Sequence, residues 1–355
     1  MKKNFGYDEL MQCDGVIIYG AGKAGSDVLK TLKSRNFDMK KIVLWDKKYD
    51  EIAELHGIPV DPPQFERLNV KTSHIVVIAL GMRYLFDYMD IREKFLDSGY
   101  SRIISYHEII HSEKEVIYSN NGVCPICEDV TTFTTRDSWY RDYYFCEKCR
   151  SIPRHRAFMV VLDKFCPNWR ELVMHDSSPG STSISWKLKR QCKYYIGSQF
   201  FSGLAKGDII DNFRNEDLTQ MTFDDESIDL HVTQDVVEHV LEADKAFSEI
   251  ARTLKPVGMH IFTVPIVRGV NPTVQRATID MKGGIIHLEE PMYHGNPIGD
   301  GKSLVTWDWG YDIIQRIYDA SKMHTICIQM DNLEHGIRAE YIDVFVSVKP
   351  RQEFI

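Results

Sequence analysis

The chain has 355 residues, 43% hydrophobic and 26% charged, which is enough for two domains of an ordinary globular protein and a small third module. A net charge of −8 argues against a surface built to track nucleic-acid phosphates, and no apolar run approaches the roughly 20 residues of a membrane span. Eight cysteines behind a start, MKKNFGYDEL, that lacks an apolar signal core suggest metal ligands or free thiols rather than disulfides, and a cytoplasmic location.

Residues 1–112 read as a small Rossmann-like α/β domain. Val16–Tyr19 predicts a short strand running into Gly20-Ala-Gly22-Lys-Ala-Gly25 and a helix to Ser34; Lys41–Trp45 predicts the next strand, ending in Asp46. This is a G-x-G-x-x-G fingerprint with an acid about 20 residues beyond it. Gly20, Gly22 and Gly25 let backbone N–H groups approach a phosphate at a helix start, and Asp46 is placed to accept from ribose hydroxyls. The same glycines serve equally in a plain strand-to-helix turn. His74–Leu80, a helix to Asp97 and Arg102–Tyr106 complete the domain. The wording "IYGAGKAG", "LWD" and "GIPV" resembles the small N-terminal domains that precede sugar acyltransferases and other glycan-modifying enzymes. That resemblance implies a nucleotide or nucleotide-sugar site, or a purely structural lobe, without hydride chemistry.

Residues 113–157 carry Cys124-Pro-Ile-Cys127 and Cys146-Glu-Lys-Cys149, a C-x2-C-x18-C-x2-C spacing expected of a zinc ribbon. Each knuckle offers two thiolates to one ion, and two knuckles close a tetrahedral shell with no open position, so the zinc is expected to be structural. The remaining Cys13, Cys166, Cys192 and Cys327 are scattered and read as small buried hydrophobes. Around the second knuckle Arg136, Arg141, Lys148, Arg150, Arg154, His155 and Arg156 interleave with Trp139, Tyr140, Tyr143 and Tyr144. Such a mixture binds nucleic acid or an anionic sugar phosphate, or forms a solvated face and an interdomain contact.

Residues 158–355 read as a second α/β domain. Glu171–His175 predicts a strand leading into Asp176-Ser177-Ser178-Pro-Gly180, and Tyr194–Gln199 a second strand, followed by Glu216 and Asp217. Ile228–Thr233 alternates as a strand, Ala246, Phe247, Ile250 and Leu254 recur at helical spacing, and Met259–Val264 predicts another strand after Pro256 and Gly258. An acidic turn, "SIDL", "DVVEHV" and "ARTLKPVGMHIFTVP", in that order, resemble class I S-adenosylmethionine (SAM)-dependent methyltransferases of the type 11 kind, over about Glu171–Lys349. "SIPRHRAF" resembles the segment by which zinc knuckles lead into such a domain, which implies a docking role for the basic stretch.

The resemblance implies that the loop Asp176, Ser177, Ser178 and Gly180 cradles the methionine end of SAM, that Gln199 meets the ribose, that Glu216 or Asp217 accepts from the adenine amino group, and that Gln234 and Asp235 border the site. The chain departs from the family pattern in having one glycine in that loop and an amide where the ribose acid belongs. Glu238 reads as a helix cap, and His239 is open between roles. A long insertion, residues 266–306, is expected to wall the pocket, with His294, then His287, then Asp235 as candidate general bases and Tyr293 able to stack on a sugar. The whole reads as SAM-dependent methyl transfer to a small-molecule acceptor, and the N-terminal resemblance points to a sugar or glycan-pathway intermediate. The rivals are a ribbon-docked nucleic-acid methyltransferase and a non-catalytic nucleotide-binding scaffold. Against the first rival, the fourth strand ends in TQDVV rather than in the Asn/Asp-Pro-Pro-Tyr/Phe run of base amino-group methyltransferases.

Overall fold

Short runs of Val and Ile build a parallel sheet near the N-terminus. In chain order its elements are β1 (Gly15–Tyr19), α1 (Lys23–Ser34), β2 (Ile42–Trp45), β3 (Glu54–Leu55), β4 (Ile58–Asp61), β5 (His74–Ile78), α2 (Leu85–Asp97), β6 (Ile103–Ser105) and α3 (Tyr106–Ile110). The strand order is β3-β4-β2-β1-β5-β6, parallel except where β3 meets β4. Every residue of β1 is buried, because a central parallel strand is covered on both faces. The computed structural model describes residues 10, 12–65, 74–80, 84–110, 114–295 and 302–351; the opening residues, the expected boundary at 112 and Asn296 lie outside them.

The chain divides into two compact units, Met1–Ile117 and Tyr118–Ile355, so the cysteine-bearing segment is part of the second. That unit begins with β7 (Tyr118–Val123), β8 (Val130–Thr135), the short helix α4 (Tyr140–Tyr143) and β9 (Phe145–Cys146), an antiparallel three-stranded sheet with one helical turn. Helix α5 (Pro153–Phe165) follows, started by a proline whose missing N–H costs nothing in the first turn. Next come β10 (Val173–Ser177), α6 (Ser183–Gln191), β11 (Tyr194–Gln199), β12 (Ile209–Ile210), β13 (Phe213–Asn215), β14 (Ile228–Gln234), α7 (Ala243–Thr253) and β15 (Leu254–Thr263). The first of these strands starts two residues later than its sequence suggests, because Trp169–Glu171 first makes a single 3-10 turn. Pro256 and Gly258 do not lie between helix and strand as expected; they sit inside β15. The register against β14 shifts there, from Ile228↔Leu254 to Leu230↔Met259, and this irregularity accommodates them.

The insertion folds as short antiparallel pairs: β16 (Val274–Gln275), β17 (Ala277–Ile279) with β18 (Ile285–His287), β19 (Tyr293–Gly295) with β20 (Lys302–Leu304), and β21 (Trp307–Asp308) back onto β16. Helix α8 (Ile313–Ser321) and strands β22 (His324–Ile328) and β23 (Val344–Val348) finish the unit. The large sheet runs β12-β13-β11-β10-β14-β15-β23-β22, with β23 antiparallel to both its neighbours. Phe247 and Ile250 of α7 share an apolar core with Trp309, Ile313 and Ile317, which anchors the helices to one face of the sheet. Strand order passes from β10 to β11 on one side and to β14 on the other, so a crevice opens at their carboxyl ends.

Candidate active site and cysteine centre

A cavity of about 1030 Å³ occupies that crevice. Ser177, Ser178 and Gly180 from the loop after β10, Gln199 at the end of β11, Glu216 and Asp217 after β13, and Gln234 and Asp235 after β14 all line it. The structure thus brings these expected residues together at the strand ends, although the side chains use their polar atoms differently. Ser178 and Asp235 both take positive φ, 54° and 53°, an unfavourable conformation for residues with a side chain that clusters at functional sites. Gln199 donates from Nε2 to the Pro179 carbonyl at 3.2 Å, which ties the β11 end to the loop. The Gln234 Oε1 atom is buried without a hydrogen-bond partner, a group that a ligand donor can satisfy.

Two of the expected contacts, those of Asp176 and Glu216, differ in the structure, while Asp217 keeps its place at the cavity. Asp176 does not face the cavity; it is buried beneath the loop and accepts from the Tyr195 hydroxyl at 2.9 Å, and burial pushes its carboxyl up to about 7. Both oxygens of Glu216 are occupied, by Arg214 Nε at 2.6 Å and by the Thr222 backbone N–H at 2.8 Å and hydroxyl at 2.5 Å. It braces the sheet edge rather than offering a free acceptor. Asp217 is half-buried, with Oδ1 accepting from Thr219 and Oδ2 from Lys206 Nζ at 3.0 Å, so it meets the cavity as an ionised, pre-oriented carboxylate.

The far wall comes from the cysteine-bearing segment. Arg141 and Arg154 reach Asp235 at 2.5 and 2.8 Å, and Thr263 Oγ1 adds a bond at 2.9 Å. Burial opposes this charge, but the two guanidinium groups hold the Asp235 carboxyl below its usual range, so it is a counter-ion and not a general base. Arg156 is fully buried, donating to Gly336 O at 2.6 Å and Tyr144 O at 2.9 Å, with its guanidinium over the Phe133 ring. The basic residues expected to form a docking face therefore include three arginines spent inside the unit. Sequence could not tell an outward Arg from an inward one.

Histidines divide sharply. His287 is exposed on β18 and is not part of the cavity lining, so it is not placed as a base. His294 lines the cavity at its exposed edge, and its ring stands edge-on to that of His239, centroids 5.1 Å apart. Burial lowers the basicity of the His239 imidazole, and partial desolvation at the cavity edge lowers that of His294. Glu238 is buried beside them, and it caps nothing through its side chain: neither carboxylate oxygen has a hydrogen-bond partner.

The four knuckle sulfurs lie within 4.8 Å of one another. Cys124 and Cys149 are 3.6 Å apart and Cys127 and Cys146 3.9 Å, far beyond a disulfide bond. A tetrahedral ion with bonds of about 2.3 Å sets its sulfurs about 3.8 Å apart, so the set fits zinc. Lys187 of α6, almost wholly buried, donates to the Ile126 carbonyl at 3.0 Å and to Glu128 at 2.5 Å, tying the first knuckle to the large sheet's helix layer.

In the first unit the glycine loop is closed on itself. Asp46 Oδ2 accepts from the Ala21 N–H at 2.6 Å and Oδ1 from the Lys48 N–H at 2.8 Å, so both oxygens expected to meet ribose are engaged by backbone. A Cβ at Gly25 would fall 2.0 Å from the Gly20 carbonyl oxygen, and one at Gly20, where φ is 114°, would fall 2.7 Å from the Ala79 oxygen. Two of the three glycines are thus required by chain packing alone.

Residues 173–262 match the family described as a methyltransferase domain. The matched stretch, from β10 into β15, carries a methyltransferase domain. A dimethylglycine N-methyltransferase from Parasynechococcus marenigrum (strain WH8102) is 29% identical over 129 residues, covering 35% of this chain and 44% of that protein. The chain therefore spans less than half the length of this curated relative. Among solved structures, a SAM-dependent methyltransferase from Mesorhizobium loti aligns at 15% identity over 54% of this chain and 97% of its own, with a TM-score of 0.37. The PH0226 protein from Pyrococcus horikoshii OT3 aligns at 14% identity over 56% of this chain and 90% of its own, with a TM-score of 0.35. Among the described residues no helix is long and apolar enough to cross a membrane.

Proposed function

We propose that the second unit transfers the methyl group of SAM to a small-molecule acceptor within the cavity at the ends of β10, β11 and β14. The observation that carries this reading is the convergence of Ser178, Gln199, Asp217 and Gln234 on one crevice of a methyltransferase domain. SAM supplies a sulfonium methyl that an oxygen, nitrogen or carbon nucleophile can displace in line. The loop Ser177–Gly180 takes the amino-acid end, Gln199 faces the ribose, and Asp217 accepts from the adenine amino group. The cavity's task is orientation: holding donor and acceptor in line supplies most of the acceleration, and enclosure limits competing water. Asp235, pinned by two arginines, sets the electrostatics of the acceptor end without taking a proton.

The relative's name brings a small amine into consideration as acceptor beside a sugar. Tyr293, expected to stack on a sugar, is exposed and outside the cavity lining, so the sugar reading rests on the N-terminal resemblance alone. A nucleic-acid acceptor loses support because Arg141 and Arg156 are buried and Arg154 is paired with Asp235, rather than offered to phosphates. For the N-terminal loop we favour a structural role over a nucleotide or nucleotide-sugar site, since its acid is engaged by its own backbone.

Calorimetry with SAM is the direct test: the wild-type chain binds one equivalent, and absence of binding removes the function. Asp217→Ala is expected to weaken SAM by about 1–3 kcal/mol through the lost acceptor. Unchanged affinity would take Asp217 out of the site. We also propose one structural zinc on Cys124, Cys127, Cys146 and Cys149. Elemental analysis should find it in the wild type and not in Cys146→Ser, whose unfolding midpoint should fall as the remaining thiolates lose their common ion.

A further inference from the structure

The turn Val237–His239, which follows β14, brings three potential ligands to one point of the cavity wall. Glu238, His239 and His294 each offer a donor atom, and these atoms all lie within 4.8 Å of one another. The Glu238 carboxylate is 1% exposed and both its oxygens lack hydrogen-bond partners. The His239 Nε2 atom lies 3.8 Å from one of these oxygens. Asp235 already engages Arg141 and Arg154, so those guanidinium groups are committed elsewhere.

The imidazole of His239 is preset for ligation. Its Nδ1 lies 2.8 Å from the Leu304 carbonyl, so Nδ1 carries the proton and the Nε2 lone pair points toward Glu238. Leu304 belongs to β20, whose partner strand β19 carries His294 opposite Ser303. The same hairpin is bound to the turn through Thr306, whose N–H and hydroxyl both donate to the Glu238 carbonyl, at 2.7 and 3.0 Å. One structural device thus positions all three donors: the insertion supplies His294, and its backbone orients His239.

We propose that Glu238, His239 and His294 bind a divalent transition-metal ion that opens onto the methyl-transfer cavity. Two imidazoles and one carboxylate suit zinc and its neighbours rather than magnesium or calcium, which prefer all-oxygen shells. Three protein ligands leave coordination positions free, unlike the four-thiolate centre. The chemistry rests on the methyltransferase reading: an acceptor hydroxyl bound to the ion loses its proton to water at the cavity mouth and is held as an alkoxide. Its oxygen then forms the O–C bond as the S–C bond breaks, the electron pair staying on sulfur to give the neutral thioether. The ion is unchanged, and His294 acts as a ligand, not as a base.

The test is calorimetric titration of zinc into chain whose thiolate centre is already loaded. Wild type should take up one further equivalent, and His294→Ala and Glu238→Gln should each weaken that binding tenfold or more. His287→Ala, an exposed histidine outside the cavity, should bind as wild type does. Absence of the second equivalent, or equal binding by His294→Ala, overturns the site; His294 is exposed, so this variant serves even if Glu238→Gln does not fold. SAM titration of the same samples keeps the two readings apart. SAM binding without a second zinc defeats the metal site alone, and a second zinc without SAM binding defeats methyl transfer alone.

Discussion

Two small-residue loops follow the first strand of a parallel sheet, one in each unit, and they behave in opposite ways. The loop Gly20–Gly25 has the wording of a dinucleotide fingerprint, yet its acid, Asp46, accepts from the loop's Ala21 N–H and from the Lys48 N–H, and Gly20 and Gly25 are required by backbone crowding. The loop Ser177–Gly180 departs from its family's glycine-rich pattern, yet it lines a cavity of about 1030 Å³ and leaves the nearby Gln234 oxygen unpartnered. Glycine spacing reports where chains approach closely. Whether the approaching group is a phosphate or another stretch of backbone is decided by what occupies the crevice, and the spacing does not encode that.

Acid should separate the units most strongly. Beneath the serine loop, His175 bonds to His231 across adjacent strands, Nδ1 to Nδ1 at 2.8 Å, while Ser198 and Thr253 hold their outer nitrogens, and His260 meets Thr233. Burial lowers His175 and His260 to about 3 and His231 well below its ordinary value. Below about 6.5 the unfolded chain binds protons that these imidazoles refuse, so stability falls with pH by ~1.4 kcal/mol per unit per group. Asp176 and Glu238, raised by burial, act in the opposite sense down to about 4, where unfolded carboxyls also protonate. The second unit should therefore lose stability gently to about pH 4 and steeply below it. In the first unit the described His56 and His74 are not buried, so its transition should move less. Thermal unfolding followed from pH 7 to 3 checks this, and parallel shifts of both transitions would contradict it.

Gly25→Ala should be the next largest effect. Its added methyl meets the Gly20 carbonyl oxygen at 2.0 Å, backbone against backbone, with no flexible side chain to move aside. The expected loss is about 1–3 kcal/mol in denaturant unfolding of the first unit. A variant as stable as the wild type would mean that this loop is looser than its geometry implies.

The buried histidines also mark where the sequence stopped being legible. Periodicity located β14, α7 and β15, and the ordered wording of that stretch identified the methyltransferase domain. Alternation in Ile228–Thr233 suggested one polar face, but His231 and Thr233 are buried, because helices cover both faces of a parallel sheet. Positive φ at Ser178 was equally invisible, since serine does not announce it, and aspartates, which visit this region more often, are too common in the chain for Asp235 to stand out. The expected site residues come together at the strand ends, and they diverge from expectation where a side chain had two possible partners: Asp176 bonds to Tyr195, and Glu216 to Arg214 and Thr222. The paired strands of the insertion are two or three residues long, too short for any period, so His294 and His287 looked equivalent in sequence and are not in space.

The smallest expected effect is the counterpart substitution in the other loop, Gly180→Ala. Its φ is not left-handed, and an added Cβ would meet only the Thr182 methyl, at 3.3 Å. Stability should therefore change by no more than about 0.5 kcal/mol. Gly180 lines the cavity, however, and a methyl there narrows the space through which a ligand approaches the loop backbone. SAM affinity should drop severalfold, less than the tenfold that corresponds to 1.4 kcal/mol. Paired with Gly25→Ala, this gives one chemical change read two ways, as stability loss in the closed loop and as affinity loss in the open one. If Gly180→Ala instead lowers stability as much as Gly25→Ala does and leaves the SAM affinity of the folded chain intact, the serine loop is packed like the glycine loop, and the donor must be held elsewhere in the cavity.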